Sequence, residues 1–173
     1  MHGMIRLRWP FRLFCPVTTK GNDIMRQPRR LSARHSPVHG TGLFALRPLK
    51  AGERLLEYKG EVTSWRRAAA RQQSDAGHTF VFGLSDGRVI DGSRGGNSAR
   101  FLNHACEPNC EAIETGDRVF IHALTAINVG DELFIDYGLV IDGEVTDDVR
   151  TQYACRCGAS GCRQSMIGAT IIT

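Results

Sequence analysis

Cys155-Arg-Cys157-Gly-Ala-Ser-Gly-Cys162 gathers three thiols into eight residues, and Asn103-His104-Ala-Cys106-Glu-Pro-Asn-Cys110 supplies two more upstream. Thiolates are preferred ligands of Zn²⁺, whose structural sites are tetrahedral and four-coordinate. The C-terminal trio is one ligand short. Cys106 and Cys110 are both candidates for the fourth place, spacing alone does not choose between them, and His104 is a further candidate ligand. A metal held this way ties the tail back onto the middle of the chain, with an apparent binding energy on the order of 10 kcal/mol in small domains. Residues 4–17 are apolar but broken by Arg6, Arg8 and Arg12, unlike the uninterrupted core of a secretory signal. Without a signal, clustered cysteines favour metal binding over disulfides and an intracellular setting: cytoplasmic in a bacterium, nuclear in a eukaryote.

Three further sites carry chemical potential. Asn103 and His104 form an adjacent polar pair beside the cysteine cluster, suited to ligand contacts through side chain or backbone. A nucleophilic pairing of Cys106 with a histidine competes poorly with a metal, because the cysteines are so densely grouped. Gly40-Thr41-Gly42 can bring backbone close to a ligand or an anion, although it lacks the Lys-Ser/Thr ending of a phosphate loop. Tyr137 closes Glu132-Leu-Phe-Ile-Asp-Tyr137 before Gly138, where an apolar strand can present a phenol to a cleft.

These residues need elements to position them, and the composition suggests which. Nineteen glycines and six prolines in 173 residues indicate a turn-rich β fold rather than a helix bundle. Glu53 to Val62 reads as a strand. Ser64 caps a short helix through Arg71, and Thr79 to Leu84 with Arg88 to Asp91 form a hairpin around Ser85-Asp86-Gly87. Asn97 to Asn103 holds one helical turn. Arg118 to Ala123 and Glu132 to Tyr137 are further strands, and residues 138–150 read as a polar connector. No run of about 18 apolar residues spans a membrane.

Charge is unevenly distributed. Residues 1–34 carry eight Lys or Arg against Asp23 alone, a formal +7, so the remaining 139 carry −3 within the total of +4. The acidic body suits a basic protein substrate, and the basic arm suits nucleic acid or another anionic surface. The expected organisation is a weakly ordered arm over 1–30, a domain over 31–145 and a zinc-binding tail over 146–173.

Taken in order, the motifs resemble the SET-domain protein-lysine methyltransferases. The segments are His39-Gly-Thr-Gly-Leu-Phe-Ala45, Glu57-Tyr-Lys-Gly-Glu61, Ala99-Arg-Phe-Leu-Asn-His-Ala-Cys-Glu-Pro-Asn109 and Glu132-Leu-Phe-Ile-Asp-Tyr137. A post-SET-like tail, Tyr153-Ala-Cys-Arg-Cys-Gly-Ala-Ser-Gly-Cys-Arg163, follows. The resemblance covers about His39 to Arg163. It implies a mainly β fold of small sheets with knot-like C-terminal threading near residues 99–104. It implies S-adenosyl-L-methionine as methyl donor and a lysine-containing protein, histone or other basic protein, as substrate. Gly40, Thr41, Gly42, Leu43, Arg100, Phe101, Asn103 and His104 would line the cofactor pocket, and Tyr137 would be catalytic. Phe80 and Ile135 would line the substrate channel. The resemblance also makes Cys106 the fourth Zn²⁺ ligand with Cys155, Cys157 and Cys162, and leaves Cys110 structural and Cys15 unpartnered.

Ile135 stands where many relatives have Phe or Tyr, which leaves room for di- or trimethylation. Phe80 stands where relatives often have Tyr, so one hydroxyl contact is lost. No cysteine-rich segment precedes the domain. The alternative reading is a catalytically weak SET-like module that binds a peptide or nucleic acid without turnover. The expectation is a monomer.

Overall fold

Turn residues at close intervals cut the chain into strands of two to six residues, too short to pair into one large sheet. The computed structural model describes residues 5–7, 29–72, 80–142 and 144–171. Along the chain run β1 (Ile5–Leu7), β2 (Leu31–His35), β3 (Thr41–Ala45), β4 (Arg54–Tyr58), β5 (Glu61–Ser64) and helix α1 (Trp65–Gln72). They are followed by β6 (Val81–Gly83), β7 (Arg88–Asp91), a 3-10 turn (Ser98–Phe101), β8 (Asn103–His104), β9 (Cys110–Thr115) and β10 (Arg118–Ala123). Then come β11 (Glu132–Ile135), β12 (Leu139–Asp142), helix α2 (Asp147–Gln152) and β13 (Ile167–Ile171). The result is mainly β, as the turn-rich composition predicts.

Four small sheets form, ordered β1-β12-β13, β4-β10-β9, β2-β3-β11-β8 and β5-β7-β6. One contiguous core joins residues from most of them, with Leu43, Leu49, Ile121, Ile127, Leu133, Val119 and Cys110 fully buried. Burial of this kind is the main stabilising contribution, at about 25 cal/mol per Å² of apolar surface.

The hairpin, the Ser64 cap and the helical turn lie where the sequence places them. Ser64 Oγ accepts from Arg67 N, and Asn97 caps the 3-10 turn by accepting from Ala99 N. The stretch from Glu53 to Val62 differs: it is two strands. Lys59 and Gly60 break it, sending β4 to β10 and β5 to β7. Gly60 permits the break because a Cβ there would overlap the backbone of Asp91. Residues 138–150 also differ. Leu139, Val140 and Ile141 are buried in β12, which pairs antiparallel with β1 and parallel with β13, and α2 follows.

The topology that matters for the site is the sheet β2-β3-β11-β8. β11 inserts between β3, antiparallel to it, and β8, parallel to it, with Phe134 opposite Asn103 and Ile135 opposite His104. Asn109 fastens β11 further: its Nδ2 donates to Glu132 O and its Oδ1 accepts from Phe134 N, both at 2.8 Å. Three segments far apart in sequence therefore meet side by side: the loop before β3, the 103–106 segment and the end of β11.

Candidate active site and cysteine cluster

Tyr137 follows the end of β11, and its hydroxyl donates to Leu102 O at 2.7 Å. Its backbone N–H donates to His104 Nδ1 at 3.1 Å, and the two rings lie 5.4 Å apart. Burial raises the phenol well above its ordinary range, so it stays protonated at neutral pH. The same holds for Tyr58 on β4, raised by burial and then by proximity to Tyr137. Tyr58 donates to Phe80 O at 3.1 Å. Two neutral hydroxyls thus converge, each with its proton held by a backbone carbonyl.

His104 is buried, and burial lowers its pKa to about 4, against the opposing pull of Asp136. The neutral ring accepts at Nδ1 from Tyr137 N–H, so its 3.4 Å approach to Asp136 Oδ1 is not an ion pair at neutral pH. Nε2 lies 3.4 Å from Cys106 Sγ. Asn103 is buried too, and its Nδ2 donates to Glu132 Oε1 at 2.8 Å, His39 O at 3.0 Å and Thr41 O at 3.3 Å.

Gly40 takes a φ of 49°, which glycine accommodates without strain, at the turn into β3. Gly42 lies against Glu132, whose Oε1 a Cβ would overlap. Leu43 is fully buried in the core. Arg100 stacks its guanidinium on Phe80 and Phe101, 5.5 and 4.8 Å from the ring centroids, and the two rings meet edge to face at 5.9 Å. Arg100 Nε is buried without a hydrogen-bond partner. Ile135 is buried in the cluster that holds Tyr58 and Phe82, with Tyr137 packed against it.

At the other side of His104, Cys106, Cys155, Cys157 and Cys162 bring their sulfurs within 4.8 Å of one another. Cys106 Sγ lies 3.7 Å from Cys155 Sγ and 3.9 Å from Cys162 Sγ. Zn–S bonds of about 2.3 Å at the tetrahedral angle put sulfurs about 3.8 Å apart, so the donor set fits Zn²⁺. Backbone N–H groups of Cys157, Arg163 and Gln164 point at the sulfurs of Cys155, Cys106 and Cys162, at 3.4, 3.3 and 3.3 Å. Such donors stabilise thiolates and orient metal ligands. Cys110 lies apart, fully buried on β9, with its thiol pushed up to about 12 by burial. Cys15 lies outside the described residues.

The family described as the SET domain matches residues 40–138, over half of the chain. The chain belongs to the SET-domain family. It is similar to two fungal proteins, each named histone-lysine N-methyltransferase, H3 lysine-4 specific. That of Mycosarcoma maydis is 35% identical over 153 residues, 84% of this chain and 10% of the relative. That of Candida albicans is 34% identical over 150 residues, 82% of this chain and 14% of the relative. Histone-lysine N-methyltransferase SETD1 of Drosophila melanogaster is 31% identical over 155 residues, 85% of this chain and 9% of the relative. The chain thus spans between 9 and 14% of the length of these relatives.

In and around this SET domain, several residues that shape the site carry no clear signal in the sequence. Glu132 and Tyr58 lie inside family motifs, but no local pattern marks either as part of the site. Ser36, which donates to Glu132 Oε2 at 2.9 Å, lies outside every motif. Asp136 and Arg163 pair at 2.8 Å and join the SET core to the cysteine tail. Glu107 accepts from Gly161 N at 2.8 Å and fixes the turn before Cys162. Their common signal is a charge or hydroxyl in or beside a motif, which becomes specific only once the partners are adjacent. Among the described residues no helix is long and apolar enough to cross a membrane.

Proposed function

We propose that this chain is a protein-lysine N-methyltransferase that uses S-adenosylmethionine and acts on a lysine in a basic protein segment such as the histone H3 tail. The observation that carries this reading is the position of Tyr137. Its hydroxyl is locked to Leu102 O, next to Asn103 and His104, where β11 meets β8.

When bound, S-adenosylmethionine supplies a methyl group activated by a sulfonium. The chain's residues then have three tasks. Asn103, His104, Arg100, Phe101 and the backbone of residues 40–43 bind and orient the donor. Tyr58, Tyr137 and Ile135 form the channel in which the lysine amine is aligned, and alignment of nucleophile and leaving group supplies much of such an acceleration. Both phenols keep their protons on backbone carbonyls, so each turns oxygen lone pairs toward the channel and neither acts as a base. Fixed dipoles of this kind stabilise charge moving in the transition state. The lysine arrives neutral because an apolar channel favours the uncharged amine. Phe80 flanks this region through its ring and through the carbonyl that holds Tyr58. Cys106, Cys155, Cys157 and Cys162 would hold Zn²⁺ structurally, since four thiolates leave no open coordination position. The negative charge of residues 35–173 and the names of the relatives both favour a histone-like substrate.

The test is transfer of labelled methyl from S-adenosylmethionine to histone H3 and other basic proteins, with Tyr137→Phe alongside. The hydroxyl's loss should lower turnover by about 100-fold or more. A mutant as active as the wild type would sink the assignment of Tyr137.

A further inference from the structure

Glu132 is 8% exposed and is surrounded by groups that only a carboxylate can satisfy together. Its Oε2 accepts from Ser36 Oγ at 2.9 Å, and its Oε1 accepts from Asn103 Nδ2 at 2.8 Å. Ser36 Oγ already accepts from Val38 N at 3.0 Å and His39 N at 3.2 Å, so its only hydrogen goes to Glu132. Ser36 N closes the same loop by donating to Gly40 O at 2.8 Å. The two hydrogens of Asn103 Nδ2 serve Glu132 and the carbonyls of His39 and Thr41. Gly42 lacks the Cβ that would displace the Glu132 carboxylate.

With both hydrogens on Nδ2 engaged, the remaining hydrogen-bonding atom of this amide is the acceptor Oδ1. We infer that Glu132 is a positioning residue. It fixes the orientation of the Asn103 carboxamide so that an acceptor, never a donor, faces the cofactor pocket. That selects a ligand offering a cationic N–H donor at this point, the α-ammonium group of the methyl donor's amino-acid end. The inference rests on the cofactor reading proposed above.

A neutral amide at position 132 cannot repeat the arrangement. With its oxygen toward Asn103, its NH₂ meets a Ser36 oxygen whose lone pairs are both in use. With its NH₂ toward Asn103, the carboxamide must flip and lose both backbone carbonyls. Glu132→Gln therefore either loosens the 36–40 loop or turns a donor into the pocket.

The experiment has a ligand-free arm and a ligand arm. In the ligand-free protein, the side-chain amide protons of Asn103 are followed by NMR, assigned with Asn103→Ala. They should exchange slowly in the wild type and at least about ten-fold faster in Glu132→Gln, as expected when a hydrogen bond to a charged group is lost. In the ligand arm, calorimetry compares S-adenosylhomocysteine with its analogue lacking the α-amino group. The wild type should prefer the amine by about ten-fold or more, and Glu132→Gln should lose most of that preference while binding the deamino analogue within about three-fold of wild type. Equal weakening of both ligands would make Glu132 merely structural and overturn the proposal. Slow amide exchange in a wild type that binds neither ligand would refute the cofactor reading while leaving the amide lock in place, and the selection of a cationic donor would fall with that reading. If Glu132→Gln does not fold, the wild type alone decides: fast exchange of the Asn103 amide, or no preference for the amine, overturns the inference.

Discussion

Ile135 and Tyr137 lie two residues apart at the end of β11 and pack in the same buried cluster, beside Tyr58 and Phe82. In the proposed channel, an aliphatic side chain here would leave space next to the amine that an aromatic ring would fill. Ile135→Phe should therefore shift products toward monomethyl-lysine, read by mass spectrometry of a timed reaction. One excess methyl group in a filled pocket discriminates by roughly 10–200-fold, and the ratio of di- and trimethylated to monomethylated product should fall within that range. Overpacking should also cost about 1–3 kcal/mol of stability. An unchanged product ratio in a folded mutant would show that this position does not gate the amine. At this scale the sequence was readable where residue type was rare for its setting: an Asn-His pair, a tyrosine before glycine, dense cysteines. Glu132 was not, because an acid at the start of a strand ordinarily faces water. Its burial depends on Gly42 and Ser36, one in a neighbouring strand and the other before the turn, and no local pattern announces that meeting.

Elements from the two ends of the chain meet the SET core along one seam. β13 lies parallel to β12, Leu139 N donates to Met166 O at 3.1 Å, and Arg163 pairs with Asp136, which touches His104. Asp136 and Arg163 are both partly exposed, so their pairing contributes only about 0–1 kcal/mol. Its value lies in geometry, because it joins the end of β11 to the cysteine tail. Asp136→Ala should lower the melting temperature by no more than about 4 °C. It should nevertheless raise backbone exchange across residues 155–166 and weaken cofactor binding. A mutant with wild-type exchange there would show that the seam is held without this pair. The seam was poorly legible in sequence for a definable reason. Leu139-Val140-Ile141 is too short a run to show alternation, and both strands that pair with it, β1 and β13, come from opposite ends of the chain. The hairpin β6–β7 was legible because its turn residues and both strands are contiguous.

The whole molecule is divided between a core built from residues 43–135 and a tail that owes its place to a few contacts and four sulfurs. The core draws no side chain from the cysteine cluster: its buried side chains come from β3, β4, β6, β7, β9, β10 and β11 and their connections. The tail between Tyr153 and Ser165 is flanked by α2 and β13 but has little buried apolar surface of its own, with Cys155 its one buried residue. Zinc held by Cys106, Cys155, Cys157 and Cys162 would close the long loop between the two cysteine clusters and would contribute on the order of 10 kcal/mol locally. Chelation should then act in two stages. Methyl transfer and cofactor binding should be lost first, together with protease resistance over residues 144–166. The far-ultraviolet dichroism of the β core and its thermal transition should persist, because the buried core includes none of the four cysteines. Cys106→Ser should reproduce the chelated state, and restoring zinc should rescue the wild type but not the mutant. Simultaneous loss of β structure and activity would mean that the metal holds the core as well as the tail. Activity that survives full removal of zinc would mean that the tail's strand pairing and the Asp136–Arg163 contact suffice to cover the site.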